Sequence, residues 1–241
     1  MKVLITGANG YLGKGLIPPL AGRHQVRLMD VVPFESPHEV FVGDVADLET
    51  CRRAVDGMDA LVIAHMASRQ AGAYETPTVA FDANVKGTAN LFFAAAERNI
   101  QRIVLISSTG MFTPPKPRGP ARYRSGEFDF YRLTKACQET IADHFRQVCG
   151  MQIAMMRCGW IMDSESMIDK YGQPRSNRGG DMIDRRDIGE AVRLALELPD
   201  LTFETFVLVG TPERLKNPDG IRTEQRLGWK PKYDFSWVPR E

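Results

Sequence analysis

The chain is poor in cysteine and histidine, with four of each in 241 residues. Cys51, Cys137, Cys149 and Cys158 form no CxxC pair and have no close histidine partner, so neither a disulfide framework nor a metal site is expected. An excess of one charge is missing too. Lysine and arginine number 31 against 30 acidic residues, and the signs are mixed rather than blocked, so nothing recommends nucleic acid as a partner. No apolar run approaches the ~20 residues of a membrane span, and the first strand is under way by Val3, leaving no room for a signal peptide. A soluble cytoplasmic protein with no membrane partner is the expectation. No repeat, leucine heptad or charged tail points to a role in interaction alone.

What the chain does contain is alternation. Short apolar runs at 2–6, 26–30, 39–42, 60–64, 102–107, 152–156 and 205–209 alternate with segments of helical period at 11–21, 48–55, 78–98, 128–148 and 188–198. That order predicts an α/β fold with a doubly wound parallel sheet, a Rossmann arrangement in one compact unit. Two segments stand outside it. Prolines are too dense at 114–120 for a helix or strand. The polar, weakly periodic segment 163–181 is expected to be a loop, and loops of that length are usually functional or mobile.

Gly7, Gly10 and Gly13 follow the first strand at G-x-x-G-x-x-G spacing and open a helix. Such a turn lets backbone approach a pyrophosphate while the helix amides face the charge. Asp30 ends the second strand about twenty positions later, where a carboxylate can accept bonds from both ribose hydroxyls and repel a 2′-phosphate. Val31 and Val32 follow it with no arginine, so the expected cofactor is NAD rather than NADP. Asp44 and Val45 follow the third strand and can reach the adenine edge, although an aspartate there can equally cap a helix.

The strand 102–107 runs into Ser107, Ser108 and Thr109 at the carboxyl edge of the sheet, where ligands of such folds bind. Ser108 is the candidate hydroxyl for orienting a substrate oxygen, with Thr109 in reserve. Tyr131 and Lys135 lie four apart, hence on one helix face. A phenol of pKa near 10 is a poor base at neutral pH unless a cation favours its anion, and Lys135 offers that cation.

These residues carry a resemblance. The segments 6–13, 43–45, 62–67, 84–91, 105–108 and 131–135 resemble the short-chain dehydrogenase/reductase superfamily, specifically its extended NAD-dependent epimerase/dehydratase branch. The resemblance implies Tyr131 as acid/base, Lys135 on the nicotinamide ribose, Ser108 polarising the substrate and Asn84 supporting a proton relay. It implies a cofactor wall of Gly7, Gly10, Tyr11, Leu12, Gly13, Asp30, Asp44, Val45, Ala64, His65 and Met66, with Asn84, Tyr131 and Lys135 beside it. His65 needs no catalytic part in this scheme and is expected to be a satisfied structural histidine. The match loosens after Arg157, which divides the chain into an NAD-binding core, 1–157, and a small substrate lobe, 158–241, that returns a strand and a helix to the core.

That lobe is short for a nucleotide-sugar enzyme. Its size and the ending Gly228-Trp229-Lys230-Pro231 resemble the compact uronate dehydrogenases. The expected activity is NAD-dependent hydride exchange with a small sugar or sugar acid. Ser68, Ser108, Thr109, Arg157, Arg175 and Arg178 are candidate substrate contacts, the arginines because a guanidinium pairs with a carboxylate. An epimerase that keeps its NAD bound and a non-catalytic NAD-binding sensor stay open. A dehydratase is disfavoured, because Thr109-Gly110-Met111 supplies no carboxylate after the serine strand. The resemblance also implies a homo-oligomer, a dimer first, since long helices such as 128–148 commonly pair between subunits.

Overall fold

The computed structural model describes residues 1–67, 77–112, 130–233 and 235–240. Segment 114–120 and Ser68 lie outside them. Strands β1 (Lys2–Thr6), β2 (Gln25–Asp30), β3 (Glu39–Val42), β4 (Ala60–Ile63), β5 (Arg102–Ser108) and β6 (Gln152–Cys158) pair in parallel. β7 (Trp160–Asp163), β8 (Ile168–Asp169) and β9 (Met182–Asp184) make a second, three-stranded sheet, after which β10 (Phe203–Leu208) returns to the first. The large sheet has the order β10-β6-β5-β4-β1-β2-β3. Its winding reverses between β1 and β4, which opens a crevice at their carboxyl ends.

Alternating side chains of each strand enter opposite layers, so a strand covered on both faces reads as one apolar run. Val3 and Ile5 pack under α1 (Gly13–Ala21) and α6 (Arg185–Glu197) with Leu16, Leu20, Ile188 and Val192. Leu4, Leu61 and Ile103 pack on the other face with Cys51 of α2 (Leu48–Val55), Leu91 and Phe92 of α4 (Gly87–Glu97) and Ala142 of α5 (Phe130–Cys149). The helix expected at 78–98 is not uniform. A short α3 (Pro77–Ala80) and a π-helical stretch, Phe81–Lys86, precede α4, and the wider π turns carry Asn84 into the interior.

The segment 163–181 is mostly turns and irregular backbone, as expected of a loop, but β7 ends in it at Asp163, the two-residue β8 lies inside it and β9 begins just after it. Strands this short give no period-2 signal. They are held instead by side chains that satisfy backbone: Asp163 accepts the Glu165 and Ser166 amides, and Asp169 accepts those of Tyr171 and Gln173. Met162, Met167, Met182, Phe235 and Val238 form the small core of this sheet. Helix α7 (Pro218–Leu227) was also not foreseen. Asn217 caps its start and Gly228, at φ 60°, ends it.

The carboxyl-terminal segment docks on one buried carboxylate. Asp187 accepts the amides of Lys232 (2.8 Å) and Tyr233 (3.0 Å), while its carbonyl accepts the Trp229 indole N–H at 3.1 Å. Burial pushes its pKa up to about 6. A carboxyl raised in the fold contributes most below its unfolded pKa, and that contribution is lost as pH rises through about 6. Asp187→Ala is therefore expected to cost about 2 kcal/mol, since each stranded amide costs about 1–3 kcal/mol, offset by relief of the buried charge. Thermal unfolding should show a wider gap from wild type at pH 5 than at pH 7.5.

Candidate active site

A cleft of about 520 Å³ lies at the β1/β4 reversal. Gly7, at φ 68°, turns the chain out of β1. A Cβ there would lie 2.8 Å from the His65 Cα, so the turn passes too close to the end of β4 for any side chain. The Gly10 amide closes the turn on the Gly7 carbonyl at 3.1 Å. The Lys14 amide donates to the Gly10 carbonyl at 3.4 Å and the Gly15 amide to the Leu12 carbonyl at 2.8 Å, so turn and helix are continuous and the positive end of the α1 dipole meets the crevice, which suits a pyrophosphate. At the far end, Asp30 accepts the Asn9 amide at 2.9 Å and the Val32 amide at 3.3 Å, which fixes its carboxylate at the rim. Exposed Val31 and Val32 line the cleft beside it with Asp44 and Val45. Asp44 also accepts the Ala46 amide, but it does not cap a helix, since Asp47 is the residue that caps α2. A glycine cradle, an acidic strand end and an apolar pocket fit NAD.

Ala64, His65, Met66 and Ala67 line the middle of the cleft. His65 Nδ1 lies 2.9 Å from the Thr6 hydroxyl and Nε2 lies 3.0 Å from the Ala83 carbonyl. Because the carbonyl can only accept, Nε2 carries the proton and Nδ1 accepts from Thr6. Burial, with Lys135 nearby, pushes the imidazole pKa down to about 3. The ring is thus a neutral strut across the β1/β4 ends.

The reactive side is built on α5. Tyr131 and Lys135 both line the cleft, one turn apart. Lys135 is 3% exposed and donates to the Ile106 carbonyl of β5 at 2.7 Å. Burial, then repulsion from Lys170, brings its pKa down to about 8. Asn84 does not line the cleft. Its Oδ1 accepts the Ala67 amide at 2.6 Å and its Nδ2 donates to the Thr134 hydroxyl at 2.9 Å, tying the end of β4 to α5.

The two serines differ. Ser107 lines the cleft, but its hydroxyl donates to Glu139 at 2.6 Å. Ser108 is buried just beside the lining and accepts the Gly110 amide at 3.1 Å. Thr109 donates weakly to the Cys158 carbonyl at 3.4 Å. None of the three candidate arginines lines the cleft. Arg157 makes a bidentate pair with Glu139 at 2.9 and 2.6 Å. Arg175 pairs with Asp169, and Arg178 with Glu213 and the Val238 carbonyl.

Sequence reasoning missed Lys170 and Tyr171, which line the cleft from the small sheet, and Ser107 and Glu139. Two adjacent serines at a strand end point to opposite faces, and only the register tells which is which. Lys170 had no periodic context at all.

Residues 3–162 match the NAD dependent epimerase/dehydratase family. Among individual relatives, the 3 beta-hydroxysteroid dehydrogenase/Delta 5→4-isomerase of Mycobacterium tuberculosis is 36% identical over 119 residues, 46% of this chain and 32% of that enzyme. The match thus spans about a third of the length of that relative. The L-arabinose 1-dehydrogenase (NAD(P)(+)) of Haloferax volcanii is 22% identical across 98% of both chains. Of solved structures, uronate dehydrogenase from Agrobacterium tumefaciens shares the fold with a TM-score of 0.70 at 22% identity, covering 96% of this chain and 84% of that one. With the matched segment running through the glycine turn, the β1/β4 crevice and the Tyr131–Lys135 helix, the chain belongs to the NAD-dependent epimerase/dehydratase family.

Proposed function

We propose that this enzyme is a dehydrogenase of a small sugar or sugar acid, with Tyr131 as the acid/base. The observation that carries the reading is that Tyr131 and buried Lys135 face the same cleft as Gly7 and Asp30. NAD, when bound there, supplies the acceptor for the hydrogen on the carbinol carbon. Tyr131 takes the hydroxyl proton, and the Lys135 ammonium stabilises the phenolate that receives it. Ser107 commits its proton to Glu139, whereas Ser108 accepts from Gly110 and keeps its own to donate. Ser108 is accordingly the hydroxyl that holds the substrate oxygen. Asn84, with both ends of its amide engaged, fixes α5 against the cofactor wall.

A small substrate fits the architecture. One cleft serves both molecules, and among the described residues Ile161 and Tyr171 form an apolar wall beyond the cofactor half. Relatives that act on L-arabinose and uronates point to the same class. Exposed Phe93 on α4 and Leu133 and Val148 on α5 support a homodimer formed through those helices.

The test is to mix purified protein with NAD or NADP and a panel of aldoses and uronates, and to read the absorbance of reduced nicotinamide. Turnover with NAD in preference to NADP is expected, because Asp30 repels a 2′-phosphate. Silence across the panel would overturn the substrate class. Cofactor that survives purification with no net reduction would mark an epimerase instead.

A further inference from the structure

Lys170 lies just past β8, and its ammonium sits among three rings: 5.2 Å from the centre of Tyr131, 5.4 Å from Trp160 and 5.3 Å from Tyr171. Trp160 and Tyr171 meet edge to face at 5.4 Å. This lysine does not sample the surface freely. Its amide donates to the Ile161 carbonyl at 3.3 Å. Asp169 before it grips the Tyr171 and Gln173 amides, and Tyr11, from the glycine turn, donates its hydroxyl to the Ile168 carbonyl at 2.5 Å. The backbone that carries Lys170 is thus clamped on both sides, one clamp coming from the cofactor turn itself.

Tyr131 thus shares its cleft with two cations: Lys170, over its ring from the small sheet, and Lys135, one turn along its own helix. A cation over an aromatic face is attracted to the ring, and more so when the ring carries the charge of a phenolate. We propose that Lys170 is a positioning residue for Tyr131, acting with Lys135 to hold the phenol as its anion in the resting cleft. The inference rests on Tyr131 being the proton acceptor.

Several other titratable and charged groups among the described residues face the pair. Asp181 faces Lys170 from the segment before β9, but burial raises its carboxyl pKa and so weakens its hold on the cation. Cys158 at the end of β6 is pushed up to about 12 by burial and stays a neutral thiol. Glu139 acts on Lys135 from the next turn of α5. Arg175 lies over the Trp160 ring at 5.2 Å and is held there by Asp169. Repulsion between Lys135 and Lys170 is visible as the second cause of the lowered Lys135 pKa. A phenolate sharing the cleft with both ammonium groups relieves that repulsion.

The experiment is a pH titration of tyrosinate absorbance in the whole protein, with the same titration of Tyr131→Phe subtracted to isolate one ring. Tyr11 is pushed up to about 12 by burial and stays clear of the working range. In Lys170→Met the Tyr131 midpoint should rise by about one pH unit or more, the scale expected when a cation within ~4–6 Å is removed. Lys170→Arg, which keeps the charge, should stay near wild type. Lys170→Gln repeats the neutral state with a different shape, so misfolding of one variant does not remove the test. Coincident curves for wild type and the neutral variants would overturn the proposal, and so would an equal shift in the arginine variant. No substrate is needed for this readout, so a blank sugar panel with the shift intact would sink the substrate class and leave Lys170 in its part.

Discussion

Tyr131→Phe is expected to lower kcat/KM by about 10²–10⁴-fold, the usual contribution of a placed proton acceptor, while NAD binding is retained. The ring keeps its seat beside Lys170, and only the oxygen that meets the substrate is lost. Steady-state kinetics beside an NAD titration separate the two effects, and activity that survives the substitution would end the mechanism. The pH profile should bear the mark of Lys135. Its pKa of about 8 lies below the usual lysine value because burial penalises the charge and Lys170 repels it. The charge that supports the phenolate is therefore present below about pH 8 and withdrawn above it, so kcat/KM should fall on the alkaline side well before a free lysine would titrate. The same burial has a stability sign. A lysine with a depressed pKa in the fold costs stability while it is charged, and that cost is relieved as pH rises past about 8. Activity and stability should thus move in opposite directions on the alkaline side.

Much of this site was legible because its signals are local. Gly7, Gly10 and Gly13 lie in one turn, Asp30 ends the next strand, and Tyr131 and Lys135 are neighbours on one helix face. A residue type at a fixed spacing is enough to place such groups. Asn84 was named through the resemblance, but its buried seat between the end of β4 and α5 was not foreseen. The π turns that swing it inward leave no trace in a pattern read at 3.6 residues per turn. The choice between Ser107 and Ser108 depends on which face of β5 meets α5, and that is fixed by pairing with β6, fifty residues away. Lys170 and the arginines show the opposite failure. Polarity and a suitable guanidinium suggested Arg157, Arg175 and Arg178 as substrate contacts, yet each is paired with a carboxylate outside the cleft. The lysine that does line it follows an edge strand only two residues long. Helix α7 had its cap residues in plain view at Asn217, Pro218 and Gly228, but a charged surface helix with Gly220 inside carries too weak an apolar stripe to be read.

Gly13→Ala should be the most damaging single-methyl change in the cofactor half. The added Cβ would overlap the Ala8 carbonyl oxygen and lie 2.6 Å from its carbonyl carbon and 2.9 Å from its Cα. All three are backbone atoms, so no rotamer change can absorb the clash. Either the turn 7–13 opens or α1 is pushed away from it. Opening the turn pulls the positive end of the α1 dipole off the line on which it meets a pyrophosphate, and moving the helix disturbs Leu16 and Leu20, both fully buried against β1. Overpacking of this kind costs about 1–3 kcal/mol, occasionally more. The expected result is an NAD dissociation constant raised by at least about tenfold, since 1.4 kcal/mol corresponds to that factor, together with a lower unfolding temperature. Gly180→Ala is the control. Nothing lies within 4 Å of its added methyl and its φ is ordinary, so it should leave both quantities near wild type. If Gly13→Ala bound NAD as well as that control, the close approach of turn and helix would not be what shapes the phosphate site.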